Sequence, residues 1–270
     1  MKLLIVGSGG AQPPPRPGCV CRVCKEARAK GIPYYRTGPS LYVPDQNILF
    51  DAPEDIREQL NREKIGHIKH VFVSHWHPDH TMGIRIFEQM NYSFGLKPPK
   101  KSILYISKET ASNLKRQLLP SFIPLYERRK IIEVRNIEEG ERTEFGNLEI
   151  TPYTLPKSDT FLYKFNEGKK VAVYAPCDMR GFPMKEDLMD PDVLILHLGY
   201  FKELVPRGID LGEYSFDEDL QTIKKLRAKK TVFTHIEEVW RRSYDDYKRM
   251  EDQLREYNIE FAYDGMIIKL

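Results

Sequence analysis

The chain has 270 residues, 41% of them hydrophobic and 30% charged, enough to bury a sizeable core, which excludes a disordered or fibrous protein. Lys and Arg number 42 against 39 acidic residues, a net charge of +3 that by itself argues for neither nucleic acid nor a membrane surface. No stretch approaches the roughly 18 apolar residues of a membrane span, and the opening apolar run is too short for a secretory segment. The expectation is a soluble cytoplasmic protein built as one domain over residues 1–270.

In chain order, β-rich runs are expected at 2–6, 40–43, 47–50, 70–74, 103–106, 148–154, 171–175, 193–196, 231–234 and 266–269. Helical patterns fall between them at 53–63, 110–118, 216–226 and 244–257. Strands punctuated in this way predict stacked β-sheets with helices outside. After the first strand, Gly7-Ser-Gly-Gly10 forms a turn whose backbone N–H groups could face an anion. The Pro-rich run 12–17 then leads into Cys19, Cys21 and Cys24, while Cys177 stands alone. Where thiols are kept reduced, three cysteines this close point to metal before disulfide.

The most informative segment is His75-Trp-His77-Pro-Asp79-His80, directly after the apolar run 70–74. A strand that ends in an H-x-H-x-D-H turn gathers three imidazoles and a carboxylate where a short loop can aim them at a cation, and zinc, iron and manganese all accept such donors.

These residues resemble the metallo-β-lactamase superfamily of metal-dependent hydrolases. The resemblance implies an αββα sandwich with its metal site at one edge. It also implies that Asp178 bridges the metals and that His235 is the final metal histidine; each follows an expected strand. Residues 7–12 followed by Cys19-x-Cys21-x2-Cys24 resemble the branch that contains phosphoribosyl 1,2-cyclic phosphate phosphodiesterase, which holds a structural zinc in a loop matching about 12–30. The branch's fourth zinc ligand matches Glu238, with Cys177 and His197 as further candidates.

Three departures from that branch are visible, the first being Glu238 itself, which stands where the branch has a zinc-binding histidine. Lys157 stands where a metal histidine is expected, so one metal position keeps His75, His77 and Asp178, with Asp159 or His197 able to complete it. The other keeps Asp79, His80, Asp178 and His235. Tyr214 or Ser215 stands near the place of the branch's acid histidine. The expected active site therefore holds one or two divalent ions (Zn2+, Mn2+ or Fe2+). Asp79 and Asp178 orient the attacking hydroxide, Lys157 replaces lost positive charge, Tyr214 donates a proton, and Arg36 and Ser40 are further phosphate contacts. The substrate is expected to be a small or cyclic phosphodiester. A nuclease remains open through the basic runs at 97–101, 128–130, 224–230 and 241–242, as do a mononuclear-iron oxygen enzyme on His75, His77 and Asp178, a metal-binding protein without catalysis, and a homodimer.

Overall fold

The structure, a computed structural model, describes residues 1–118, 120–155 and 159–270. Among them, fourteen strands form two seven-stranded sheets. The first runs β14 (Met266–Lys269), β1 (Lys2–Gly7), β2 (Ser40–Val43), β3 (Ile48–Phe50), β4 (His70–Phe72), β5 (Ser102–Ile106) and β6 (Ile132–Asn136). The second runs β13 (Ile259–Phe261), β12 (Thr231–Thr234), β11 (Val193–His197), β10 (Lys170–Ala175), β9 (Thr160–Glu167), β8 (Leu148–Leu155) and β7 (Thr143–Phe145). Each sheet is mixed. Pairing is antiparallel from β14 to β3 and from β7 to β10, and parallel from β3 to β6 and from β10 to β13.

Alternation along the strands explains the layering. Leu3 and Ile5 of β1, Phe72 of β4 and Ala172 and Tyr174 of β10 point into the core between the sheets. Their neighbours Leu4, Val6, Val71 and Val73 pack outward beneath helices α2 (Ile56–Arg62), α4 (Ile86–Asn91) and α6 (Phe122–Arg128). Val173 and Ala175 pack outward on the other side, against α7 (Phe216–Leu226) and α8 (Tyr244–Gln253). With both faces of each sheet apolar, the strands must be covered on both sides, which gives the expected αββα sandwich. No helix among the described residues is long and apolar enough to cross a membrane.

Several boundaries differ from expectation. The helix expected over 53–63 begins at Ile56, the one over 110–118 gives way to a π turn after Asn113, and the one over 244–257 ends at Gln253 before a 3-10 turn. Four strands, β6, β7, β9 and β13, were not expected, nor were α4, α6 or α1 (Arg22–Lys30). The parallel strands share one edge of the sandwich at their C-terminal ends, where open α/β sheets place their ligands. Asp51, His75, Cys177 and His235 all emerge there, just beyond β3, β4, β10 and β12.

Candidate metal centres

The histidine loop is held by buried polar contacts before any ion is considered. Asp51, fully buried, accepts the Ser74 N–H at 2.8 Å through Oδ1. Its Oδ2 accepts the Ser74 hydroxyl at 2.8 Å and lies 2.8 Å from His80 Nδ1. The Ser74 hydroxyl is also 3.0 Å from His75 Nδ1. Both imidazoles are thus gripped by one nitrogen and present the other, as a metal-binding histidine requires.

The presented atoms converge. His80 Nε2 is 3.3 Å from His235 Nε2, and Asp79 Oδ2 is 3.1 Å from His235 Nε2 and 3.4 Å from His80 Nε2. Donors held about 2.0–2.1 Å from a tetrahedral zinc lie about 3.3–3.4 Å apart, so this triangle already has the edge lengths of a metal site. His75, His77 and Cys177 form a second group with donor atoms within 4.8 Å of one another, and His80, Cys177 and His235 a third. His75 Nε2 is buried with no hydrogen-bond partner among the described residues, an arrangement that costs free energy unless a cation fills it. The donor set therefore fits divalent ions.

Charge follows from the packing. Burial and the neighbouring His80 and His77 rings hold His75 well below the ordinary histidine range, and burial lowers His77 too. Burial opposes a charge on His80, yet Asp79 and Asp51 together lift it well above that range. Asp79, itself disfavoured by burial, is held far below the usual carboxylate range by His80 and His235.

Asp178 joins neither histidine group; its Oδ1 accepts the Arg180 N–H at 3.0 Å, and it lines a small cavity with His197, Glu213, Tyr214 and Asp219. The neighbouring thiol, Cys177, lies among the histidines instead. His197 also stays outside both groups, stacking on His235 with ring centroids 4.4 Å apart, and Asp159 is exposed. Lys157 lies outside the described residues.

The Tyr214 ring packs on the outer core and lines the same cavity, and the Ser215 hydroxyl donates to Glu218 at 2.6 Å within the capping box of α7. Glu213 faces this cavity too, with Oε2 4.0 Å from His197 Nε2, and burial raises its carboxyl above the ordinary range. Arg36 is buried and bonds Ser8 Oγ and the Ala262 carbonyl, and Ser40 is buried with its hydroxyl toward the Asp51 carbonyl at 3.5 Å. Arg36 also lines a cavity with Gln12, Tyr35 and Asp55, and its Nη2 has no hydrogen-bond partner among the described residues.

The cysteine cluster assembles as expected: Cys19, Cys21, Cys24 and Glu238 place their donor atoms within 4.8 Å of one another, with Cys21 Sγ 2.8 Å from Glu238 Oε1. Arg16 anchors the other carboxylate oxygen at 3.1 Å. The Cys21 thiol also caps α1 by accepting the Cys24 N–H at 3.4 Å. Burial pushes the Cys24 thiol up to about 12 and raises the Cys21 thiol, whereas a backbone hydrogen bond from Cys21 lowers Cys19; metal binding displaces the thiol protons that remain.

Two positioning residues had no signal in the sequence. Asp51 is one; Glu237 is the other. The Glu237 carboxylate accepts the N–H groups of Ala11 and Gln12 at 2.8 and 2.7 Å and lies 3.5 Å from His235 Nδ1. Those N–H groups, next to the Gly-rich turn, thus serve a carboxylate of the chain itself. A Cβ at Gly10 would come within 2.2 Å of Glu237 Oε1 and 2.3 Å of His235 Nδ1, so only glycine permits this approach. His235 itself takes a left-handed backbone, φ 56°, held by hydrogen bonds from Ile236 N to Ser8 O and Glu238 N to Gln12 O, each 2.9 Å.

An αββα sandwich with a histidine- and carboxylate-lined metal centre at the ends of its parallel strands defines a metallo-β-lactamase-fold protein. The family described as "Beta-lactamase superfamily domain" matches residues 46–236, and the chain belongs to that superfamily, whose members are mostly hydrolases. Solved structures similar to it include a diphosphatase from the PhnP family (24% identity, 100% of this chain and 97% of that one, TM-score 0.76). Zinc-bound PqqB from Methylobacterium extorquens is similar at 20% identity over 100% of both chains, TM-score 0.75. The short form of human tRNase Z is similar at 15% identity over 100% and 99%, TM-score 0.64. No curated protein sequence matches the chain.

Proposed function

We propose that the chain is a metal-dependent phosphodiesterase that cleaves a small or cyclic phosphodiester. One observation carries the reading: two groups of metal donors, fixed at strand ends, meet at the Cys177 thiol, and the buried His75 Nε2 in one of them has no hydrogen-bond partner among the described residues. His75 and His77 hold one ion, and Asp79, His80 and His235 hold the other, with zinc, manganese or iron as candidates; a structural zinc belongs to the cysteine cluster. An ion bound in the histidine centre lowers the pKa of water toward about 7 and neutralises charge on phosphate oxygens.

The chain's own groups do the rest. Asp51 and Glu237 fix the orientation of His80 and His235, and Glu213 Oε2 supplies the leaving-group proton in the place foreseen for Tyr214. The basic runs support a small substrate over a long nucleic acid. Lys101, Arg129, Arg227, Lys229, Lys230 and Arg242 are each paired with an acidic residue, which lowers the net positive charge these runs offer a long nucleic acid. Similarity in fold to a diphosphatase and a tRNase Z is consistent with phosphorus chemistry, and four free cysteines with a cytoplasmic location.

The test is hydrolysis of bis(p-nitrophenyl) phosphate and of cyclic nucleotides by zinc- or manganese-loaded protein. H77A and D79A should each lower the rate by more than about 100-fold. Unchanged rates in both variants refute the proposal.

A further inference from the structure

The histidine centre and the cysteine cluster share one short segment. His235 belongs to the first, and Glu238, three residues further on, belongs to the second. Between them Glu237 grips Ala11 N and Gln12 N at 2.8 and 2.7 Å and lies 3.5 Å from His235 Nδ1. The segment is zipped to residues 8–12: Ser8 O accepts Ile236 N, Gln12 O accepts Glu238 N, and Gly9 forms a parallel bridge with Ile236. Arg16, just beyond, ties both ends of the cluster together, with its guanidinium 3.1 Å from Glu238 Oε2 and its N–H donating to Cys24 Sγ at 3.3 Å. His235 has a left-handed backbone, φ 56°, which persists only where its surroundings over-determine it. Before an ion binds, the buried Glu238 carboxylate meets the cluster only through the Cys21 and Cys19 thiols, 2.8 and 3.8 Å from Oε1.

We propose that Glu238 is a positioning residue through which an ion in the cysteine cluster tightens metal binding at the histidine centre. The inference rests on the metal-hydrolase reading above and adds a coupling between its two sites. When the cluster fills, Cys19, Cys21 and Cys24 release to solvent the thiol protons they still carry, and Glu238 exchanges weak thiol contacts for a bond to the ion. That bond anchors residues 237–238 against residues 8–12. Glu237 is thereby kept beside His235 Nδ1, and His235 is kept in the backbone conformation that places Nε2 3.1 Å from Asp79 Oδ2 and 3.3 Å from His80 Nε2. The second ion then meets donors already in place. By linkage, an ion at the histidines tightens the cluster by the same factor.

Two ions of different softness separate the sites. Cadmium, a soft ion, fills the cluster, and its thiolate charge-transfer absorption reports the filling; manganese, a hard ion, probes the histidine centre through loss of the free-ion paramagnetic resonance signal. Wild type carrying one equivalent of cadmium should bind manganese at least about fivefold more tightly than metal-free wild type. This comparison needs no variant, so it stands even if a substituted protein fails to fold. E238H, with another metal donor at the same place, should keep the gain. E238A, whose three cysteines still take cadmium, should lose it, which a merely structural role of Glu238 would not produce. A smaller gain in wild type, or an undiminished gain in E238A, overturns the coupling but leaves the hydrolase reading standing. Failure of manganese and zinc alike to bind at the histidines in any of these proteins overturns both.

Discussion

Asp51→Asn isolates the group that holds His80. The residue is fully buried and has a left-handed backbone, φ 61°, which Asn tolerates as readily as Asp, so the backbone is not perturbed. Asp51 can only accept hydrogen bonds. It therefore obliges His80 Nδ1 to carry the proton and leaves Nε2 to face Asp79 and His235. An amide that keeps its oxygen on Ser74 N must turn its NH2 toward His80 Nδ1, which moves the ring proton to Nε2 and blocks the metal-facing atom. The flipped amide instead sets NH2 against the buried Ser74 N–H, 2.8 Å from the present oxygen, at a cost of about 1–3 kcal/mol. Either way, metal affinity at the His80/His235 half should fall by about 10–100-fold, or about 1.4–2.8 kcal/mol. Loss of the Asp51 charge also makes the Nε2 proton of metal-free His80 easier to displace, which works against the expected loss. Competitive zinc titration against a chromophoric chelator measures the net effect. An affinity within twofold of wild type would show that Asp51 does not set the His80 tautomer.

Three further outcomes are expected. Burial, with Lys69 and Arg135 nearby, lowers buried His70 from 6.5 to about 4, so the unfolded chain binds more protons between those values; urea stability should fall as pH drops from 6.5 toward 4, and H70Q should flatten that slope. In E213Q, hydrolysis of diesters with poor alkyl leaving groups should drop by about 100-fold or more while p-nitrophenyl esters change little; an equal loss for both would remove Glu213 as proton donor. C24S protein should retain one zinc fewer by elemental analysis and melt at lower temperature, and an unchanged zinc count would remove the cysteine cluster as a metal site.

The αββα architecture was legible because alternation along strands such as Leu3-Leu-Ile-Val6 and Val171-Ala-Val-Tyr-Ala175 is written in adjacent residues. The unexpected strands divide by cause. β7 and β13 are three residues long and β6 is an exposed sheet edge, all too short or too polar to carry a period, whereas β9 (Thr-Phe-Leu-Tyr-Lys-Phe) carried an aromatic strand signal that was available to read.

The sequence by itself determined what contiguous residues encode: the H-x-H-x-D-H turn, the cysteine spacing and the layered sandwich, while Glu238 followed only from the resemblance. Tertiary structure alone decided which carboxylates and thiol serve those histidines. Asp51 and Glu237 reach His80 and His235 from other segments, and no spacing along the chain announces them. Cys177 and Asp178 are adjacent, yet the thiol lies among the histidine donors while Asp178 lines a cavity with His197, Glu213 and Tyr214. Successive side chains leaving a strand or entering a helix point in different directions, so a one-residue ambiguity in sequence becomes a different ligand in space.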